Sequence, residues 1–449
     1  MTDVRDNTPL VLGTEKIGKL LMQYAIPAII AMTASSLYNM VDSIFIGHGV
    51  GPLAIAGLAI TFPLMNLAAA FGSLVGVGAS TLVAIKLGQK DKESATQVLG
   101  NVVLLNAIIG LIFMTVALIC LDPILLFFGA SPDTLPYARE YMEVILAGNL
   151  ITHIYMGLNE VLRASGYPQK AMIATLMAVI VNCVLDALFI FVFEWGIRGA
   201  ALATIAAQAI SLGWELYHFS SKKSFLHFQR GIFGLKRHIV GGMLAIGLSP
   251  FLMNLCACFV VILINKSLKA HGGDLAIGAY GIVNRVVFLF IMIVMGFNQG
   301  MQPIAGYNFG ARQFGRLIQV LKYTVFCGVA VTTIGFLAGQ LFPRSIVYLF
   351  TTDAELIRIA VEGLRIVLIF FPVVGFQMVT SSFFQSIGMA KKAIFLSLTR
   401  QLLFLIPSLL ILPRFFGTDG VWMSMPVADA IATIVAALML RWQLKHLKV

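Results

Sequence analysis

The chain has 449 residues, of which 59% are apolar and only 11% are charged, and its mean hydropathy is +0.93. Soluble proteins carry about 25% charged residues, so this composition excludes a soluble globular protein and indicates one that crosses a membrane many times. The net charge of +11 does not indicate a nucleic-acid partner, because the basic residues follow the pattern expected of membrane topology.

Twelve apolar segments are long enough to cross a bilayer, which takes about 20 residues in a helix. The connections that lie on the same side of the membrane as the N-terminus contain about three times as many lysines and arginines as the connections on the opposite side. Because basic residues accumulate on the cytoplasmic side, we predict a multi-pass membrane protein with both termini in the cytoplasm. The segments lie near residues 20–42, 53–75, 97–121, 138–160, 171–193, 199–219, 240–265, 276–299, 319–342, 360–384, 393–412 and 420–440.

The two halves of the chain resemble each other at an offset near 222 residues. Six spans in each half would give both halves the same orientation, as in transporters built from parallel repeats. We therefore predict an all-α integral membrane protein of twelve transmembrane helices in two pseudo-symmetric six-helix bundles. The predicted parts are an N-lobe at 1–220, a cytoplasmic linker at 221–239 and a C-lobe at 240–449. Prolines and glycines recur in register: Pro27 with Pro250, Gly78 with Gly300, and Gly166 with Gly388.

Polar side chains interrupt the apolar segments of the first half at a common depth. Asp42, Asp186 and Thr204 each lie five to eight residues from the outer end of their span, or roughly 8–12 Å. Asn182 shares a helix face with Asp186, and Tyr38 shares one with Asp42. Since a carboxylate inside a bilayer costs at least about 2.5–3.5 kcal/mol, we predict a functional site here rather than an unrelated pair of buried acids.

The side chains of this layer offer only oxygen ligands, which suit a hard cation such as Na⁺. The same carboxylates would otherwise take up a proton, because two like charges in a low-dielectric site cannot both stay ionised cheaply. The residues alone leave H⁺ and Na⁺ open. The predicted coupling site consists of Asp42, Asn182, Asp186, Thr204 and Tyr38, of which the first four are the candidate Na⁺ ligands.

At these residues the chain resembles a known family. The segments YNMVDSIFIG at 38–47, VNCVLDALFIF at 181–191 and LRASGYPQKA at 162–171 are similar to the multidrug and toxic compound extrusion (MATE) family, and specifically to its DinF-like branch. The resemblance covers essentially the whole chain. It implies an antiporter that exports bulky, often cationic organic compounds, with H⁺ or Na⁺ bound at the N-lobe residues just named. We accordingly expect a monomer in the cytoplasmic (inner) membrane of a prokaryote, with no enzyme activity and no cofactor besides the coupling ion.

The second half lacks these acids. The seventh span, GLSPFLMNLCACFVVILIN at 247–265, contains none, and no acid aligns with Asp42 or Asp186 across the repeat. Coupling is therefore predicted to lie in the first half. Arg400 in span eleven and Asp429 in span twelve lie at nearly the same depth, about 12 and 15 Å from opposite boundaries. We predict that they form an ion pair that stabilises the C-lobe.

Four further residues have expected roles. Pro27 lacks a backbone N–H and permits a kink in the first span, so we predict a hinge there. His153, a lone histidine in the fourth span, is expected to pack in the core. Glu160 and Arg163 are three residues apart and are expected to pair at the surface.

Two alternative functions remain open. A lipid-linked oligosaccharide flippase of the same superfamily would share this architecture, although such proteins tend to have extra helices or a strongly cationic cavity. An intramembrane aspartyl protease would also have two aspartates in the membrane. Its GxGD motif is not present around Asp186, which disfavours the protease.

Overall fold

The computed structural model describes residues 11–447, apart from the side chain of Asp274, and no strand occurs in this range. Eight helices are long and apolar enough to cross a membrane, or nine if Ala354–Val367 and Phe371–Ser386, which meet at 55°, form one span. The other three predicted spans correspond to Leu135–Ala147 with Asn149–Ala164, to Gly196–Ser220, and to the part of the last helical segment that follows Gly417. The predicted fold class of twelve helices is confirmed.

The first six helices are numbered α1 to α6 in chain order. Two short helices, Val11–Thr14 and Leu121–Phe127, lie outside this numbering. The bounds are Ile17–Gly49 for α1, Pro52–Gly88 for α2, Lys92–Ile119 for α3, Leu135–Ala147 with Asn149–Ala164 for α4, Pro168–Ala187 with the π-helical continuation Leu188–Val192 for α5, and Gly196–Ser220 for α6.

The last six helices follow the same scheme, and the short helix Pro343–Tyr348 precedes α10. A break at Gly417 separates α11 from α12. The bounds are Arg237–Gly273 for α7, Leu275–Gly310 for α8, Phe314–Leu341 for α9 and Ala354–Val367 with Phe371–Ser386 for α10. Helix α11 runs from Ala390–Leu398 through the π-helix Thr399–Leu405 to residue 416, and α12 covers 418–446.

The internal repeat is visible in the backbone as well as in the sequence. A left-handed backbone conformation is costly for residues other than glycine, so its positions are informative. Four pairs of such residues recur at offsets of 221 or 222, and each lies where a helix ends or begins. They are Gly51 and Gly273, Lys90 and Arg312, Gly166 and Gly388, and Gly196 and Gly417, with φ between 56° and 124°.

The chain divides into two compact units. The first comprises Ile30–Phe251 with the described residues before Lys16, and the second comprises Lys16–Ile29 with the residues from Leu252 onward. Helix α1 therefore passes from one unit to the other near Pro27, and α7 does so near Pro250. The repeated prolines mark the two places where a helix leaves one unit for the other.

Each unit has its own apolar core. In the first unit the core includes Ile46, Leu125 and Leu146, and in the second it includes Phe371 and Trp422. Inside a bilayer, helices associate by close packing of small residues. In the second unit, a Cβ on Gly375 of α10 would lie 2.4 Å from the carbonyl oxygen of Gly328 on α9, so these two backbones pack in direct contact.

Candidate functional site

The outer ends of α1 and α5 pack closely against each other in the first unit. A Cβ on Gly49 would lie only 2.2 Å from Ile190 Cγ2, so α1 reaches this position only because residue 49 has no side chain. The rings of Phe45 and Phe191 meet edge to face with their centroids 5.7 Å apart. This contact places Asp42, one turn earlier in α1, beside Asp186 of α5, which directly precedes the π-helical turns.

The two carboxyl groups form the centre of the site. Asp42 is 6% exposed and Asp186 is fully buried, and their side chains lie within hydrogen-bonding distance of each other. The Oδ1 atom of each is buried and has no hydrogen-bond partner among the described residues. Two adjacent buried carboxylates repel each other and lack compensating donors, so this arrangement is stable only when a proton or a cation neutralises it.

Asn182 and Thr204 connect Asp186 to α6 and α1. With the Asn182 amide oriented to satisfy both of its ends, its nitrogen donates to Asp186 Oδ2 at 2.7 Å and its oxygen accepts from Thr204 Oγ1 at 3.0 Å. The Tyr38 hydroxyl lies 3.1 Å from Thr204 Oγ1, which itself lies 3.1 Å from the backbone oxygen of Ala200. One hydrogen-bonded network therefore joins α1, α5 and α6.

The structure adds one residue that the sequence analysis missed. Tyr141, on the first part of α4, is 2% exposed, and its hydroxyl lies near Thr204 and the two aspartates. A Cβ on Gly148, at the break in α4, would lie 2.4 Å from Ile205 Cδ1, which shows how closely α4 approaches α6. The sequence shows a tyrosine in an apolar helix, but the direction of its side chain depends on the break in α4.

The donor set is chemically suited to a proton or a hard cation. All five residues predicted from the sequence lie together in one layer of the first unit. Their polar atoms facing the two aspartates are carboxyl, amide and hydroxyl groups, and two buried carboxyl oxygens are left without a donor. A hard monovalent cation or a proton would satisfy these oxygens.

The remaining predicted residues lie elsewhere. Pro27 is buried inside α1, eleven residues before Tyr38. Arg400, in the π-helical segment of α11, directs its Nε to Asp429 Oδ1 at 2.5 Å. Asp429 is buried in α12, whereas the Arg400 side chain is 28% exposed. This charged pair belongs to the second unit, and its charges compensate each other.

The predictions for α4 have mixed outcomes. His153 is fully buried and its Nε2 lies 2.9 Å from the backbone oxygen of Ala68, which confirms it as a packed residue. Arg163 does donate to Glu160 Oε1 at 2.9 Å, but the prediction that this pair lies at the surface is wrong. Arg163 is only 7% exposed and also donates to Asn159 Oδ1, so the pair is part of a buried network.

Comparisons with known sequences agree on one family. The MatE family model matches residues 27–188 and 246–410. The chain is 28% identical over 428 residues to the multidrug export protein MepA of Staphylococcus aureus (strain MSSA476), covering 94% of this chain and 92% of MepA. It is 26% identical over 433 residues to MepA of Staphylococcus haemolyticus (strain JCSC1435), covering 96% of this chain and 95% of that protein.

Solved structures give the same result. An outward-facing multidrug resistance MATE family transporter of the MOP superfamily matches with a TM-score of 0.91 and 26% identity, over 100% of this chain and 99% of that one. A MATE crystal structure in the bent conformation matches with a TM-score of 0.93 and 26% identity, over 98% of each chain. A MOP superfamily transporter from Pyrococcus furiosus, whose reverse pocket polarity suggests a different function, matches with a TM-score of 0.92 and 25% identity over both whole chains.

Proposed function

Because the chain belongs to the MatE family of membrane transporters, we propose that it is a multidrug efflux antiporter driven by H⁺ or Na⁺. The similarity to MepA supports export of several organic compounds, which is what the name of that protein describes. The observation that carries the coupling proposal is the pair of adjacent buried carboxyl groups, Asp42 and Asp186, with an unpartnered oxygen on each.

The coupling step follows from the electrostatics of this pair. When both carboxylates are ionised they repel each other, which opposes close packing of α1 against α5. When a proton or Na⁺ is bound, it removes that repulsion and supplies the missing partner of the Oδ1 atoms. Asn182 and Thr204 then transmit the change to α6 through their hydrogen bonds. A change of charge acting on a packed element is the requirement for a two-state switch.

We assign the hinge of this switch to Pro27. The residue lacks a backbone N–H and so weakens the helix at one turn. It also lies where α1 passes from the second unit to the first. The part of α1 that carries Tyr38 and Asp42 would bend at this point while the preceding part stays in place, so neutralisation of the site would change the direction of the outer half of α1.

A transport assay tests the proposal. The purified chain in proteoliposomes should move ethidium against its gradient when a pH gradient or a Na⁺ gradient is imposed, and varying one while holding the other fixed identifies the ion. Asp42→Asn should abolish gradient-driven movement and leave the protein monodisperse. Glu140→Gln, an exposed acid beside Tyr141, is the matched control and should transport normally.

Two results would contradict this function. Normal gradient-driven transport by Asp42→Asn would exclude the aspartate pair as the coupling site. Movement of a lipid-linked oligosaccharide, with no movement of ethidium under either gradient, would favour the flippase alternative.

A further inference from the structure

A file of polar side chains runs along one face of α6, starting at the coupling site and ending at the predicted cytoplasmic end of the helix. Residues spaced by three or four lie on the same face of an α-helix. Such a file is unusual inside a bilayer, where each polar group needs a partner. Its members are Thr204, Gln208, Ser211, Glu215 and His218.

The middle members of the file have partners on the neighbouring helices. Gln208 Oε1 accepts a hydrogen bond from Thr152 Oγ1 of α4 at 2.5 Å. Ser211 is fully buried, and its hydroxyl donates to the backbone oxygen of Ala174 in α5 at 3.1 Å. The file is therefore enclosed between α4, α5 and α6 and does not face lipid.

Glu215 is the member whose chemistry is incomplete. Its side chain is fully buried, and its Oε1 accepts from Asn159 Nδ2 at 3.0 Å. Its Oε2 is buried and has no hydrogen-bond partner among the described residues. Asn159 cannot serve this second oxygen as well, because its amide nitrogen also donates to the backbone oxygen of Ala171 at 3.0 Å.

The charges around Glu215 do not neutralise it by direct contact. The positive charge of Arg163 acts on Glu215, but the Arg163 guanidinium donates its hydrogen bonds to Glu160 and Asn159. No ion pair with Glu215 occurs within residues 11–447. His218, one turn further along α6, has Nδ1 at 3.1 Å from Lys170 Nζ and a buried Nε2 without a partner in the described part of the chain. The titratable groups whose charges act on Glu215 are Tyr155 and Arg163 of α4. Beyond them, Glu160 is bonded to Arg163, and Lys170 of α5 lies beside His218 of α6.

We propose that Glu215 is a second proton-binding site of the first unit, from which the coupling proton leaves toward the cytoplasm. The site lies eleven residues from Thr204, or about 16 Å along α6, and the polar face between them connects it to Asp42 and Asp186. The proton would pass from that pair to Glu215 Oε2 and from there to water at the end of the helix. This inference rests on the proposed antiport and on H⁺ as the coupling ion.

Net transport and exchange separate this role from a purely structural one. Net movement of ethidium driven by a pH gradient requires a proton to be released in every cycle, whereas exchange of labelled for unlabelled ethidium at equal pH does not. Glu215→Gln keeps the size of the side chain and the acceptor for Asn159 but cannot bind and release a proton. We expect at least a tenfold loss of net transport, with exchange within twofold of the wild type.

The outcomes are distinguishable. Unchanged net transport by Glu215→Gln overturns the proposal, and so does equal loss of net transport and exchange in a monodisperse protein. If Glu215→Gln cannot be isolated folded, Asn159→Ala decides instead. It removes the hydrogen bond that stabilises the ionised carboxylate and so hinders release of the proton, and net transport should fall while exchange stays within twofold of the wild type. Absence of pH-driven transport in the wild type, or exclusive Na⁺ dependence, would instead refute the proton form of the proposed function.

Discussion

The first half of the chain places two carboxyl groups, Asp42 and Asp186, side by side in its interior, whereas the second half places Asp429 against Arg400. In the second half the opposite charges compensate each other, and the pair needs no further ligand. In the first half the like charges and the unpartnered oxygens require a proton or a cation. Under the proposed function, the first half would respond to ions, whereas the second half would hold its shape without them.

The two halves differ in their buried charges, but their backbones are alike at the helix ends. The left-handed residues at helix ends recur at the repeat offset, among them Lys90 and Arg312 with φ of 60° and 56°. The repeat therefore preserved the turns and helix directions while the buried charged residues diverged. The molecule is therefore a duplicated fold whose two halves carry different buried charges.

The largest effect is expected on transport, from a substitution in the aspartate pair of the first half. Asp186→Asn removes one negative charge from the coupling site, so the repulsion that drives the switch is lost and gradient-driven ethidium transport should fall at least 100-fold. Asp186 is fully buried, but the asparagine can still accept the hydrogen bond from Asn182, so folding should be retained. Transport in proteoliposomes and monodispersity in size-exclusion chromatography are the two measurements.

The converse change tests the second half. Asp429→Asn leaves Arg400 without its charged partner, and breaking a buried ion pair costs about 3–5 kcal/mol. Because Arg400 is 28% exposed, we expect a loss nearer to 2–3 kcal/mol, seen as a lower melting temperature in detergent. Any properly folded fraction should keep its dependence on the ion gradient.

Charge reversal sharpens this prediction. Arg400→Asp and Asp429→Arg should each destabilise the protein, and combining them should restore most of the lost melting temperature because the two charges again meet. Failure of the double variant to recover would show that the contact between α11 and α12 is not what stabilises the second half.

A smaller effect is expected at Tyr141, which only the structure assigns to the coupling site. Tyr141→Phe removes the hydroxyl that lies near Thr204 and keeps the buried ring, so at most one hydrogen bond is lost. A net hydrogen bond is worth about 0.5–1.5 kcal/mol, so the concentration of coupling ion that gives half-maximal transport should rise about two- to tenfold. Tyr137→Phe, one turn earlier in α4 and half-buried, is the control and should leave this concentration unchanged.

The sequence was informative where a single helix decides the answer. The depth of Asp42 and Asp186 follows from counting residues along two helices, and the structure indeed places these residues together. Tyr141 and Glu215 could not be found in this way. The direction of Tyr141 depends on the break in α4 at Gly148, and the significance of Glu215 depends on which α4 residue faces it across the helix interface. Depth is a property of one helix, whereas contact between helices is a property of their packing.

The smallest expected effect compares equivalent helix starts in the two halves. Asp91 caps α3, and its Oδ1 accepts from Ser94 N at 3.0 Å, whereas Gln313, 222 residues later, forms no such bond at the start of α9. Asp91→Ala should lower the free energy of unfolding by about 1 kcal/mol, and Gln313→Asp, made in the wild type, should raise it by a similar amount, within the range of N-cap exchanges. Both changes are read as shifts in melting temperature in detergent.

The dependence on pH shows whether the cap acts through its charge. The hydrogen bonds from Ser94, with Lys86 nearby, hold the pKa of Asp91 below its usual range. The stabilisation is therefore present above the ordinary aspartate pKa of about 4 and is lost as the pH falls through the lower folded value. The difference between wild type and Asp91→Ala should shrink on acidification below that range, whereas the difference between wild type and Gln313→Ala should not change, since glutamine does not titrate. A constant Asp91 difference at all pH values would show that the cap depends on geometry alone, and the two halves would then differ at this turn only in side-chain length.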